Sequence, residues 1–292
     1  MAVVTHDIVP NGDICIVLKN PNSVSVIPIV NLRLYGTDPP EYEPDPSLVA
    51  LNSWQSPALK DNKATEYRFR VSSHTLTAVS PVFRKMLEGP WKESVPFEAT
   101  TSSDVLDQTP TVPIIREISA TDWNVHAFVT ILNIIHGRNN EVPRSVGIKF
   151  VTDVAVIVNY YECAESVTLA AELWIARSQV IKRYGKPSIM VLCISWIFSW
   201  GVPFSSMARL VLEHGEGLEH VDTQDLPIAM IFEKLDKQRQ SLVPSIYRRL
   251  GELRKDLLNR RTGVKALMQP TFDKIKEDFE NIKLADFQAK KV

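Results

Sequence analysis

The alternation of apolar and polar positions is clearest between Tyr67 and Glu93. Residues 67–71 alternate apolar side chains with arginines, which is the period of a strand with one buried face. The pattern then changes to helical spacing, carried by Leu76, Val79, Phe83, Met86 and Leu87. Ser80-Pro81 restarts the helix, because serine is a good N-cap and proline is tolerated in a first turn. Gly89-Pro90 is expected to end it.

This ordered series resembles the central signature of the BTB/POZ domain, a protein-interaction module. In that signature a strand ending in Val leads to a His, a Leu, a Ser and a Phe, matched here by Val71, His74, Leu76, Ser80 and Phe83. The run from Asp13 to Leu18 resembles the domain's first core strand, with Asp13 where an acidic residue usually opens it. The resemblance implies an α+β fold, a small mixed sheet capped by helices.

Further elements follow along the chain. Residues 112–118 are β-rich and predict a strand, and Thr121-Asp122 can cap the next helix. That helix keeps one apolar face through His136 and ends at Gly137. Two more helices are predicted within 149–181, with a break near residues 162–166. They resemble the closing helix pair of BTB domains, and Tyr161 retains the family's tyrosine although the Ala-Asp before it is replaced.

The predicted organisation has two parts. Residues 1–182 form the BTB/POZ domain, with the resemblance covering about 13–178 and a proline-rich insertion at about 31–65. Residues 183–292 form an all-helical C-terminal extension, in which four prolines separate the helices: Pro187, Pro203, Pro227 and Pro244. A final amphipathic helix is possible after Gly263. Only about 12 residues precede the first predicted strand, so a homodimer that exchanges an N-terminal helix is not expected, whereas dimerisation through another surface stays open.

Composition limits the partners and the cellular compartment expected for this protein. The net charge of −1 gives no reason to expect nucleic acid or a charged membrane as partner. The three cysteines, Cys15, Cys163 and Cys193, are widely spaced in apolar segments and are typical of reduced core thiols. No signal peptide is apparent, and the apolar run 189–204 is shorter than the ~20 residues of a spanning helix, so we interpret it as a buried helix. We expect the cytoplasm or the nucleus.

Catalytic motifs are absent from the sequence, which predicts a non-enzymatic protein without a cofactor or a metal. Three groups of residues leave open the alternative of a metal site or a catalytic site. His214, Glu216, Glu219 and His220 could hold zinc, although the two glycines among them favour a solvated loop. Cys163 lies near two glutamates that would suppress a thiolate, which favours a core thiol over a nucleophile. His74 matches a structural position of the BTB pattern, and a general base would need partners the sequence does not reveal.

A basic run also stands out, comprising Arg248, Arg249, Arg254, Lys255, Arg260, Arg261 and Lys265. Leu250, Leu253, Leu257 and Leu258 predict an apolar side for the same helix, so the charges would line the opposite side. A solvated helix face is the simplest interpretation, and an acidic partner or a phosphate contact are the alternatives. Few aromatic residues interleave with the charges, which does not favour single-stranded nucleic acid.

The resemblance supplies one partner-binding candidate. BTB adaptors of cullin ubiquitin ligases use a hydrophobic-x-acid motif in the loop before the last long strand, and this chain has Val105-Leu106-Asp107 there. We therefore expect Val105 and Asp107 to contact a cullin if the protein is a substrate adaptor. The alternatives are a BTB-type transcriptional or scaffold regulator acting through homo-oligomerisation and, from another class, a metal-dependent or cysteine hydrolase.

Overall fold

The computed structural model of the chain describes residues 3–31, 59, 65–88, 116–178, 180–258, 270 and 273. These residues form two compact units. The first comprises Met1–Ser25 and Pro46–Ser178, and the second comprises Val26–Asp45 and Gln179–Val292. Strands and helices are mixed, so the α+β class predicted from the sequence is confirmed.

Six strands and eight α-helices make up the described fold. The strands are β1 (Val3–Asp7), β2 (Ile14–Lys19), β3 (Ile29–Val30), β4 (Glu66–Val71), β5 (Arg116–Thr121) and β6 (Val221–Asp222). The helices are α1 (Ser73–Val79), α2 (Pro81–Glu88), α3 (Val125–Ile135), α4 (Ile148–Tyr161), α5 (Ala164–Ala176), α6 (Lys186–Ile197), α7 (Gly201–His214) and α8 (Ala229–Leu258).

The first unit is built on a mixed sheet of order β1-β4-β2-β5, in which β2 and β4 are antiparallel and the outer pairs are parallel. The register between β2 and β4 aligns six apolar side chains on one face, all 0% exposed: Ile14, Ile16, Leu18, Tyr67, Phe69 and Val71. Arg68 is on the other face and forms 2.7 Å ion pairs with Glu66 and Glu117. The strands predicted around Asp13–Leu18 and over 67–71 are therefore confirmed.

Strand β1 corrects the prediction that the first strand begins near Asp13. Val3–Asp7 runs parallel to β4, from Val3 beside Glu66 to Asp7 beside Arg70. Five residues with a single pair of adjacent valines give too short a pattern to predict a strand, and the β1 pairing depends on a segment about 60 residues away.

The helices of the first unit follow the predicted periodicities, with one difference at a cap. Helix α3 ends before Gly137, whose φ is +70°, and helices α4 and α5 are separated at Glu162-Cys163. The predicted Thr121-Asp122 cap is wrong, since Thr121 belongs to β5 and the Asp122 N–H donates to Lys19. Asn124 caps α3 instead, its Oδ1 accepting the Ala127 N–H at 3.0 Å.

The C-terminal extension was predicted to be all-helical, but the second unit also contains strands. Ile29–Val30 and Val221–Asp222 form a small antiparallel pair. The apolar run 189–204 spans most of α6 and the start of α7, and α6 is almost fully buried, which confirms a buried helix. None of the helices described is long and apolar enough to cross a bilayer. Pro244 was predicted to separate two helices, and this prediction is wrong. It lies inside the 30-residue α8.

Two predicted segments lie outside the described residues. The proline-rich insertion at 31–65 is described only at residues 31, 59 and 65. The tail after Gly263 is described only at residues 270 and 273, both of which are helical.

Helix α4 buries an ion pair. The Asp153 side chain is 4% exposed and accepts a 2.8 Å hydrogen bond from Lys149 Nζ one turn earlier. Burial raises the pKa of Asp153 to about 6, because the charged carboxylate is desolvated and Lys149 compensates only in part. On α3, neither amide atom of the buried Asn133 has a hydrogen-bond partner within the described part of the chain.

Asp153→Asn should make folding stability less dependent on pH. The folded-state pKa of about 6 lies above the ordinary 3.8, so the folded wild type binds its proton more tightly than the unfolded chain. Its free energy of unfolding should therefore fall as pH rises from about 4 to 6, by about 3 kcal/mol, and then level off. Urea unfolding followed by tryptophan fluorescence between pH 4 and pH 8 measures this slope.

Lys149→Met is the matched control. Removing only the cation should raise the pKa of Asp153 further and extend the loss of stability to higher pH. Parallel pH profiles for wild type and Asp153→Asn would contradict this account.

Gly12→Ala should destabilise the first unit by about 1–3 kcal/mol. Gly12 joins β1 to β2, and an added Cβ would lie 2.4 Å from the backbone oxygen of Val71. Gly251→Ala in α8 is the control, since its Cβ would meet nothing within 4 Å and alanine favours a helix by up to about 1 kcal/mol. Urea unfolding midpoints measure both variants, and similar shifts in the two would refute the steric argument.

Candidate interaction surface

The buried Ser80 side chain joins three helices. Its hydroxyl accepts the Phe83 N–H at 3.0 Å, which caps α2, and donates to the backbone carbonyl of Tyr161 at 2.5 Å, where α4 ends. Ser80 also ends α1, through its N–H to the Leu76 carbonyl. The N-cap role predicted for Ser80 is confirmed, and the bond to Tyr161 adds a link across 81 residues of sequence.

The Tyr161 ring is the centre of an aromatic cluster. Phe83 stacks on it with ring centroids 4.3 Å apart, and Phe128 lies at 6.0 Å. The Trp123 indole N–H donates to the Tyr161 hydroxyl at 3.3 Å. Burial raises the pKa of Tyr161 well above its ordinary value, so the hydroxyl stays neutral.

Tyr160 turns outward from the same place and pairs with Trp123. Tyr160 is 57% exposed, whereas Tyr161 is 2% exposed. The rings of Tyr160 and Trp123 meet edge to face at 5.2 Å. Asn22 also holds the backbone of Trp123, donating its N–H to the Trp123 carbonyl at 2.8 Å. We call Trp123 and Tyr160 the aromatic pair, in which the Tyr160 ring is exposed and the Trp123 ring is half-buried.

Asp13 fixes the start of α1. Its carboxylate accepts the Ser73 N–H at 2.7 Å and a hydrogen bond from the Ser73 hydroxyl. Burial acts to raise the pKa of Asp13, but these hydrogen bonds outweigh it, so the pKa lies below its ordinary value. His74 follows as the second residue of α1 and is exposed. The structure therefore puts the structural role at this helix start on Asp13.

The four residues considered for zinc do not converge. His214 ends α7 and its Nε2 lies 3.8 Å from Glu213, whereas His220 lies 3.1 Å from Glu219 after a turn at Gly217. Among the described residues, no group of three or more His, Cys, Asp or Glu side chains is placed to hold a metal ion.

Cys163 is a buried thiol at the start of α5. Burial raises its pKa to about 12, so the thiolate that a nucleophile requires is disfavoured. A pocket in the second unit lies between Tyr184, Gly217, Asp236 and Arg239, with room for about one water molecule at roughly 20 Å³. That volume is far below what an organic substrate occupies.

The partner-binding residues predicted from the sequence, Val105 and Asp107, lie outside the described residues. The basic run is described in part, with Arg248, Arg249, Arg254 and Lys255 on α8. Sequence reasoning missed the aromatic pair, since neither Trp123 nor Tyr160 was singled out as a candidate residue. The available signal was a tryptophan just after a strand and a tyrosine beside the tyrosine predicted to close the domain, but which ring faces outward depends on the packing.

Tyr161→Ala should destabilise the first unit by about 3–5 kcal/mol, because it removes a buried ring at the centre of the cluster. The neighbouring Tyr160→Ala should lose only about 1 kcal/mol, from two edge-to-face contacts on an exposed ring. Thermal and urea unfolding of the two variants measure the difference. Equal destabilisation would contradict the placement of Tyr161 in the core and Tyr160 at the surface.

The comparisons with known proteins add no relative, since no protein-family model, no curated protein and no solved structure matches the chain.

Proposed function

We propose that this chain is a non-enzymatic protein-interaction protein built on a BTB/POZ-like domain. The observation that carries the proposal is the aromatic pair, because the exposed Tyr160 ring meets the half-buried Trp123 ring, whose indole N–H bonds to the Tyr161 hydroxyl of the cluster beneath. Exposed aromatic rings on a rigid support are typical anchors of protein interfaces, since they bury a large area with little loss of side-chain entropy.

The BTB/POZ-like assignment rests on the same region. The residues that carry the resemblance include Leu76, Ser80, Phe83 and Tyr161, which are all buried, and Ser80 forms hydrogen bonds with the backbone of the other three. A small mixed sheet lies in the same unit. Apart from the exposed His74, the residues matched to the central signature are thus core residues in this chain, and the resemblance concerns how the core is organised.

The more specific proposal is a substrate adaptor for a cullin-based ubiquitin ligase, with Val105 and Asp107 contacting the cullin. The cytoplasm and the nucleus are the compartments proposed, where the three free thiols at Cys15, Cys163 and Cys193 would stay reduced. A BTB-type scaffold or transcriptional regulator that acts through homo-oligomerisation is the alternative. A cysteine hydrolase is not favoured, given the raised pKa of Cys163.

Calorimetric titration of the full-length protein with a cullin N-terminal domain tests the adaptor proposal. We expect micromolar or tighter binding, which Val105→Ala with Asp107→Ala should weaken at least about tenfold, because an interface loses an apolar anchor and a charge. Val180→Ala with Glu233→Ala changes an exposed valine and an exposed carboxylate elsewhere and should leave the affinity unchanged.

Tyr160→Ala adds a second arm to the titration. Weaker binding by this variant would assign the aromatic pair to the cullin interface. Unchanged binding would show that the pair does not contact the cullin and would point to another partner. Failure of the wild-type protein to bind any cullin N-terminal domain would refute the adaptor proposal.

A further inference from the structure

Helix α5 presents an apolar and acidic face directed away from its own core. Leu169 and Leu173 are one turn apart, so they share a face, and Leu169 is 80% exposed. The buried residues of this helix, Val167, Ala171 and Trp174, occupy the opposite side. Glu165 lies one turn before Leu169, and Glu172 lies next to Leu173, and both are exposed. We call these four residues the α5 face: Glu165, Leu169, Glu172 and Leu173.

Helix α8 presents an apolar and basic face. Val243, Tyr247 and Leu250 recur at helical spacing and are all exposed, with Tyr247 at 72%. Arg254 continues the row one turn later, and the exposed Arg248 follows Tyr247. The sequence had predicted Leu250 on the apolar side together with Leu253, but only Leu253 is buried. We call these five residues the α8 face: Val243, Tyr247, Arg248, Leu250 and Arg254.

The charges on the two faces form no ion pair with the rest of the described chain. Among the described residues, neither Glu165 nor Glu172 forms an ion pair, and neither Arg248 nor Arg254 does. Each face therefore combines large apolar side chains with charges of one sign, for which the described residues supply no ion-pair partner. Such a combination suits a helix whose flanking charges have the opposite sign.

We propose that the α5 face of one copy of this chain docks against the α8 face of a second copy. Leu169 and Leu173 would pack against Val243, Tyr247 and Leu250, as apolar rows do in helix pairs. The glutamates would lie beside the arginines of the partner helix, which favours encounter between unlike faces. The pairing of two α5 faces would bring glutamates together, and the pairing of two α8 faces would bring arginines together, so like pairs are disfavoured.

A second copy suits the α8 face because this chain itself carries the complementary surface. Both faces are exposed on the same chain, so each copy can offer its α5 face or its α8 face to another copy. The proposal is independent of cullin binding, since it uses neither Val105 nor Asp107.

Charge reversal tests the pairing with purified full-length protein. One variant combines Glu165→Lys with Glu172→Lys, and the other combines Arg248→Glu with Arg254→Glu. Light scattering after size-exclusion chromatography, over a range of protein concentrations, gives the mass of each sample. Circular dichroism and urea unfolding establish that each variant remains folded.

We expect the mass of the wild type to rise with concentration above that of one chain, and each reversal variant to show an association constant at least about tenfold weaker. An equimolar mixture of the two variants should associate again, because the reversed α5 face of one then meets the reversed α8 face of the other. A chain that carries all four substitutions should also recover self-association. Tyr247→Ser, which leaves every charge in place, should weaken association as well.

Three results would overturn the proposal. The wild type could remain at the mass of one chain up to its solubility limit. Folded reversal variants could associate as strongly as the wild type. The mixture and the four-fold variant could both fail to recover association although the single reversal variants are folded and monomeric.

Discussion

The bond between the Ser80 hydroxyl and the Tyr161 carbonyl is the constraint on which the first unit depends. The same hydroxyl caps α2, so one side chain satisfies the start of one helix and the end of another. Ser80 is fully buried, and no solvent can replace either bond. Losing this hydroxyl would leave both a backbone N–H and a carbonyl unpaired in the core, at about 1–3 kcal/mol for each group.

The aromatic surface depends on that buried contact. Phe83 stacks on Tyr161 because Ser80 holds their helices at this distance, and Trp123 is positioned by its bond to the Tyr161 hydroxyl. Tyr160 then meets Trp123 only because its neighbour faces inward. A surface suited to recognition is thus produced by the packing of the core, and the energy that holds it comes mainly from buried rings.

Charged side chains occur in both buried and exposed settings in this structure. In the first unit, α4 buries Asp153 with Lys149 as its partner, and the pKa of about 6 reflects the loss of hydration. In the second unit, α8 exposes Arg248 and Arg254 beside apolar side chains. The buried pair affects stability through protonation, whereas the exposed arginines are available to a partner. Both follow from the same electrostatic rule, since a charge needs either water or an opposite charge.

Local sequence patterns alone determined much of this fold. The alternation at 67–71, the Ser80-Pro81 restart and the end of α3 at Gly137 each depend on neighbours within a few residues, and each was predicted. The candidate site was predicted less well. Val105 and Asp107 were predicted to bind a partner only from the resemblance to BTB domains. The aromatic pair was not predicted.

The tertiary structure decided whatever depends on distant partners. Strand β1 exists because β4 offers it an edge, and β3 pairs with β6 across about 190 residues of sequence. The local sequence around Pro244 predicts a helix break, yet α8 continues through this residue. The exposure of Leu169 likewise contradicts its apolar character, since a sequence records what a side chain prefers but not which face of a helix the rest of the chain covers.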